Sequence, residues 1–126
     1  KIFSNVKNIF LIPIPIYREK FKARGFNQME LIGKEMAARD GGVSFQYRPD
    51  ILIKTKNTKP QMEIKKKEER QANVIGSFAV KDGSELKESS VILIDDVTTT
   101  GATFAEARKM LLNAGARGVL PVAIAH

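Results

Sequence analysis

An α/β fold built on a mostly parallel central sheet flanked by helices is the architecture this 126-residue sequence predicts. Residues 91–94 (Val-Ile-Leu-Ile) form a continuous apolar run, which reads as a strand buried on both faces. Shorter apolar runs alternate with stretches of helical periodicity, the order that lays helices over a parallel sheet. The length suits one domain, residues 1–126, that buries about two thirds of its unfolded surface and needs no staple. The absence of cysteine excludes disulfides and thiolate zinc sites and fits a reducing compartment.

The elements follow in order. Residues 8–12 read as a strand that should stop at Pro13, because Pro15 would remove a second ladder donor. Residues 28–39 read as a helix, with Asn27 as N-cap, Met29, Ile32 and Met36 at near-helical spacing, and Gly41-Gly42 as its end. Residues 51–53 form a second strand between Pro49-Asp50 and a lysine-rich polar loop. A charged helix is expected over 62–72, a strand over 77–80 and a polar connection over 81–90. After 91–94, a helix over 104–114 ends near Gly115, and a terminal strand covers 119–125. There is no internal repeat and no low-complexity tract.

The chemistry concentrates where the 91–94 strand gives way to the next helix. The chain there reads Asp95-Asp96-Val97-Thr98-Thr99-Thr100-Gly101-Ala102-Thr103. A helix's first turn leaves about four N–H groups unpaired and carries a partial positive charge, which suits a phosphate. Gly101 allows close backbone approach, and the threonines add hydroxyl donors. Asp95 and Asp96 only accept hydrogen bonds at neutral pH, so their natural partners are the vicinal hydroxyls of a ribose or a hydrated cation. The segment therefore reads as a ribose 5-phosphate site. The blander alternative is a buried strand followed by an ordinary helix cap.

The formal charge of +7 sits in two places. Arg18, Lys20, Lys22 and Arg24 against Glu19 make residues 18–24 net +3. Lys54, Lys56, Lys59, Lys65, Lys66, Lys67 and Arg70 against Glu63, Glu68 and Glu69 make residues 54–70 net +4, so the rest is neutral. Two basic segments on a neutral scaffold suggest a polyanionic ligand, pyrophosphate or nucleic acid, although Lys65 to Lys67 equally suit a solvated helix face. Nothing resembles a signal peptide, and the longest apolar runs fall far short of the ~20 residues of a membrane span. A soluble, cytoplasmic protein with no membrane partner is the expectation.

The segment from Asp95 to Thr103 resembles the phosphoribosyl-pyrophosphate signature of type I phosphoribosyltransferases, with Thr-Thr-Gly-x-Thr at Thr99 to Thr103. Pro13-Ile-Pro15 with Arg24-Gly-Phe-Asn-Gln28 resembles the first motif of the ComF-type competence phosphoribosyltransferases. Thr58-Lys-Pro-Gln61 and Arg70-Gln-Ala-Asn73-Val-Ile-Gly76-Ser-Phe78 are similar to that family's later motifs, so the resemblance spans nearly the whole chain.

The resemblance implies a type I phosphoribosyltransferase fold in which the loop after the first strand holds pyrophosphate and the lysine-rich loop forms a mobile hood. Phosphoribosyl pyrophosphate would then be the donor, with Mg²⁺ entering on its oxygens and no direct protein ligand to the metal. The transfer needs cations that steady a leaving pyrophosphate rather than a nucleophile, so no single catalytic residue is assigned. Tyr17, Arg18 and Arg24 are the pyrophosphate candidates, and Lys54, Lys56, Gln61, Arg70 and Asn73 belong to the hood. Arg70 suits a ligand contact and a structural tie equally. The family is linked to uptake and processing of single-stranded DNA beside a helicase-like competence ATPase.

Two departures stand out. Family members commonly begin with a cysteine-rich zinc module, whereas this chain lacks cysteine and starts on Lys1, which suggests a fragment or a shortened relative. Tyr17-Arg18 also stands where His-Pro is usual. The lone His126 reads as a strand-end residue. Thr99 occupies the place where purine-salvage enzymes carry an acid, which disfavours that acceptor class. Two functions remain open: transfer of phosphoribosyl to an unknown acceptor, and a non-catalytic module that senses the donor or binds single-stranded DNA or a partner.

Overall fold

A computed structural model describes residues 8–17, 27–58, 63–97 and 101–125. The main sheet has four strands in the order β2-β1-β5-β6, all parallel: β1 (Ile9–Pro13), β2 (Gln46–Tyr47), β5 (Ser90–Asp96) and β6 (Gly118–Ile124). A separate antiparallel pair joins β3 (Leu52–Lys54) to β4 (Phe78–Val80). Three helices complete the described elements: α1 (Gln28–Asp40), α2 (Lys67–Val74) and α3 (Gly101–Asn113), with a 3₁₀ turn at Ser84–Leu86. The α/β, mostly parallel architecture is therefore as predicted.

The apolar run at 91–94 is the centre of the sheet, between β1 and β6. Val91 and Leu93 join Phe10, Ile12, Ala107, Leu111 and Phe78 in one core, so this sheet face lies under α3 and the small hairpin. Leu11 and Ile94 are equally buried but outside that cluster, on the face against which α1 packs. Alternation of side chains along each strand divides the residues this way.

Pro13 closes β1 rather than following it, and it also explains why β2 is so short. Leu11 accepts from the Arg48 N–H at 2.9 Å. The next rung toward β2 would need an N–H on Pro13, which has none. Pairing on that side ends at Tyr47, while on the other side Ile14 still donates to the Ile94 carbonyl at 2.9 Å.

Helix α1 starts on the predicted residue and ends one residue later than predicted, at Asp40, before the predicted Gly41 stop. The Asn27 side chain accepts from the Met29 N–H at 3.0 Å and donates to the Ile14 carbonyl at 3.3 Å, so one buried cap also pins the exit of β1. Gly41 ends the helix in the left-handed region, φ +66, donating to Ala37. The other two helices are shifted: α2 begins at Lys67 rather than 62, and α3 at Gly101 rather than 104. None of the described helices is long and apolar enough to cross a membrane.

An ionic cluster ties the connector after β2 to the 3₁₀ turn. Arg48 grips Asp50 through two hydrogen bonds of 3.0 and 2.9 Å, reaches Glu85 at 2.8 Å and stands over the Phe10 ring. Donation from Arg48 holds both carboxylates below their ordinary range. The stability they contribute is therefore present above the unfolded-state value near 4 and is lost as pH falls below it. Melting profiles between pH 3 and 7 should show an acid-side loss that is blunted in Arg48→Gln.

Gly33 is the tightest contact in α1, because an added Cβ would stand 2.5 Å from a Tyr47 ring atom. The ring cannot easily yield, since its hydroxyl donates to the Glu30 carbonyl at 2.8 Å. Burial, then the nearby Glu30 charge, push that hydroxyl up to about 12, so it stays a donor at neutral pH. Gly33→Ala should lower stability by about 1–3 kcal/mol in denaturant titration, although alanine is the better helix former by roughly 1 kcal/mol. In a Tyr47→Ala background the same change should become neutral or stabilising.

Candidate functional site

The sheet order creates a crevice between the two central strands. From β1 the chain crosses by α1 to β2, on one side; from β5 it crosses by α3 to β6, on the other. The loops leaving the carboxyl ends of β1 and β5 thus diverge, and such a switch point is where open α/β sheets take their ligands.

Asp95 and Asp96 stand at this place. Pairing of β5 with β1 ends at Ile94, whereas Asp95 and Asp96 pair only with Ala123 and Ile124 of β6. The next rung would join the Asp96 N–H to the Ile14 carbonyl, but that carbonyl accepts from the Asn27 side chain at 3.3 Å. The two acids are half-buried, and the Asp96 N–H donates to a carboxylate oxygen of Asp95 at 2.8 Å. As successive strand residues they face opposite sides of the sheet: Asp95 shares the side of Val91 and Leu93, and Asp96 that of Ile92 and Ile94. A sugar using both must straddle the strand end.

Thr98, Thr99 and Thr100 lie outside the described residues. Because α3 starts at Gly101, its first turn consists of Gly101, Ala102 and Thr103, whose N–H groups have no partner inside the helix. A Cβ on Gly101 would meet nothing within 4 Å among the described residues, so the backbone is open there. Thr103 itself is buried.

The remaining sequence-predicted residues are spread out. Tyr17 is half-buried beyond β1, while Arg18, Arg24 and Gln61 fall outside the described residues, as does His126. Lys54 donates to Thr58 at 2.8 Å and stands 5.7 Å from the Phe78 ring centroid, which holds it to the hairpin. Lys56 is exposed and Asn73 half-buried on α2. The Arg70 Nε donates to the Ile64 carbonyl at 2.5 Å, a tie within the segment predicted as the hood.

What the structure does bring together is the hood segment and the start of α3. A cleft of about 650 Å³ separates α2 from α3. Lys67, Arg70, Gln71, Val74 and Ile75 line one wall, and Gly101, Ala102, Ala105, Glu106 and Lys109 the other. Arg70 and two residues predicted for the phosphate turn, Gly101 and Ala102, thus share one cavity; Tyr17, Lys54, Lys56, Asp95 and Asp96 do not line it.

Seven of these ten residues, all but Arg70, Gly101 and Ala102, are not site candidates on sequence grounds. One signal was available, because Glu106 interrupts an apolar stripe made by Ala107, Met110 and Leu111. A carboxylate at a core position needs a partner. Here it accepts from the Gly76 N–H at 3.2 Å and lies 3.9 Å from the Lys109 ammonium, hanging the turn before β4 on α3.

The geometry so far defines an open parallel α/β protein with an acidic switch-point crevice and a basic cleft beside it. Sequence relatives give the family. Over 116 residues the chain is 38% identical to competence protein ComFC of Bacillus subtilis, covering 90% of this chain and 43% of the relative. It is 30% identical over 106 residues to competence protein F of Haemophilus influenzae, 83% of this chain and 44% of that one. A DNA utilization protein of Escherichia coli, YhgH, is 26% identical over 109 residues, 86% of this chain and 45% of the relative. This is a ComF-type chain. It spans a little less than half the length of these relatives. No family model matches it, and no solved structure does.

The Glu106 anchor makes a local prediction. Glu106→Ala leaves the Gly76 N–H without its acceptor, and hydrogen exchange should accelerate at least tenfold at Gly76 while the β5 amides keep their protection. Equal acceleration in both places would mean that Glu106 supports the whole fold rather than this attachment.

Proposed function

We propose that this chain binds phosphoribosyl pyrophosphate together with Mg²⁺ and transfers its phosphoribosyl group to an acceptor, in the handling of incoming DNA or of nucleotides. One observation carries the reading: an acidic pair at the end of the central strand, followed by a helix whose open first turn begins on glycine, at the switch point of a parallel sheet. The link to DNA handling comes from the relatives, which are named for competence and DNA utilization.

The chain's own groups divide the work. Asp95 and Asp96 accept from the ribose hydroxyls on either side of the strand end, and the Gly101 to Thr103 amides, with Thr98 to Thr100, receive the 5-phosphate. Tyr17, Arg18 and Arg24, in the loop after β1, reach the pyrophosphate across the crevice. Lys54 and Lys56 would close on it from the hairpin, and Lys54 must then exchange its bond to Thr58 for one to phosphate. In the transfer the C1–oxygen bond to pyrophosphate breaks, pyrophosphate leaves with the electron pair, and the acceptor bonds to C1 and gives up its proton.

The donor set suits a hard cation. No group of three His, Cys, Asp or Glu side chains is assembled among the described residues, and the two acids offer only oxygen. Such a site takes Mg²⁺ that brings waters and phosphate oxygens with it, and the ion would neutralise charge on the departing pyrophosphate.

The second reading is binding of single-stranded DNA without turnover, which the two basic segments favour, since they hold the chain's entire net charge of +7.

Calorimetry with donor and Mg²⁺ tests the first reading. Asp95→Asn with Asp96→Asn should weaken binding at least 30-fold while the fold persists, since bonds to charged acceptors contribute about 1.5–3 kcal/mol each. Gly101→Ala should keep full stability yet lose affinity several-fold, because its methyl group enters the space the phosphate needs. Unchanged affinity in both variants removes the site assignment. Release of pyrophosphate with a panel of bases and nucleotides then separates transfer from binding alone.

A further inference from the structure

The α2–α3 cleft is too large and too chemically mixed to be a packing defect, and we infer that it is a nucleotide subsite. It binds a nucleoside phosphate with the base against the aliphatic wall and the phosphate toward the basic rim. As the place of the acceptor, this inference rests on the phosphoribosyl reading; as a binding site, it stands without it.

Volume comes first. About 650 Å³ lies within the range of small-molecule sites and exceeds what packed helices leave between them. Its walls are of two kinds. Val74, Ile75, Ala102 and Ala105 form an apolar surface, and Ile75 remains 57% exposed although it lines the cleft, so the protein itself does not cover it. A flat base between aliphatic groups would cover it.

The charge is as one-sided as the walls are mixed. Lys67, Arg70 and Lys109 surround the cleft against a single carboxylate, Glu106, whose oxygens are already engaged by the Gly76 N–H and by Lys109. No ion pair holds Lys67 among the described residues. The surplus is positive, so the ligand is an anion with an apolar, planar body rather than a neutral molecule.

The position gives such a ligand a role. Gly101 and Ala102 line the cleft and also open the first turn of α3, so a nucleotide there lies beside the proposed sugar-phosphate site. A free nucleotide and the end of a single strand present the same chemistry.

Titration of the 126-residue chain with adenosine monophosphate, with a five-residue oligothymidylate and with phosphoribosyl pyrophosphate tests this. Ala105→Glu, at an exposed helix position, and Lys109→Gln should each weaken adenosine monophosphate at least tenfold and leave the donor's affinity within twofold. A melt confirms folding of each variant, and either one alone is sufficient. An oligothymidylate that binds tenfold more tightly than the monomer and loses affinity in the same variants identifies a strand end. Equal or weaker oligomer binding identifies a free nucleotide. Adenosine monophosphate affinity unchanged in the variants, no nucleotide binding at all, or preference for a polyglutamate peptide overturns the inference. Nucleotide binding without donor binding retains the subsite and removes the phosphoribosyl reading instead.

Discussion

The parallel pairing of β1 with β5 is the constraint on which the site depends. Leu11 and Ile12 on one strand and Leu93 and Ile94 on the other are completely buried, each contributing on the order of 1.5–3 kcal/mol by transfer from water. The pairing sets two apolar strands side by side, from which the crossovers must diverge. It also has a definite end, because past the Ile14 N–H the Ile14 carbonyl accepts from the Asn27 side chain and the Asp96 N–H donates to the Asp95 carboxylate. The acidic residues begin on β5 just past that point, where the pairing to β6 continues. A one-residue slip would bring an aspartate into the core side of the β1 pairing, so burial of the sheet and exposure of the acids are set by the same register.

The second layer is held differently. The hairpin β3–β4 and helix α2 contribute Leu52, Val74 and Phe78 to burial, but several of the ties across the segment are single hydrogen bonds: Arg70 to Ile64, Lys54 to Thr58, Gly76 to Glu106. Each involves a charged group and is worth about 1.5–3 kcal/mol net. The sheet is thus anchored by apolar area and the layer above it also by polar contacts.

What could be read in the sequence was whatever local chemistry decides. The 91–94 run announced a two-sided strand, and Asn27 and Gly41 marked the ends of α1 through rules that involve only neighbouring residues. The two-residue β2 was invisible, because it owes its existence to pairing with Leu11 and its end to Pro13, neither of which is near it in sequence. Helix α3 was placed three residues late since Gly101 and Thr103 are weak helix formers; buried Thr103 and Ala107 draw the helix back to the strand end. Helix α2 was placed early because its charged residues carry no strong apolar period. At the site, the acids and the glycine turn were legible as a contiguous motif. The cleft was not, because it exists only where two helices distant in sequence fail to close against each other.

Charge placement narrows the ligand further than either motif or cavity alone. A simple polyanion would be drawn to the basic segments and repelled by Asp95 and Asp96. Those acids stand on opposite faces of β5 at its carboxyl end, and as acceptors they favour hydroxyl donors or a hydrated cation. Among the described residues, Lys67, Arg70 and Lys109 line the neighbouring cleft instead. A ligand that satisfies all of them carries hydroxyl donors in its middle and negative charge at its ends. A phosphorylated sugar has that distribution and a bare nucleic-acid backbone does not, so the acidic pair, rather than the net charge, supports the proposed sugar-phosphate reading.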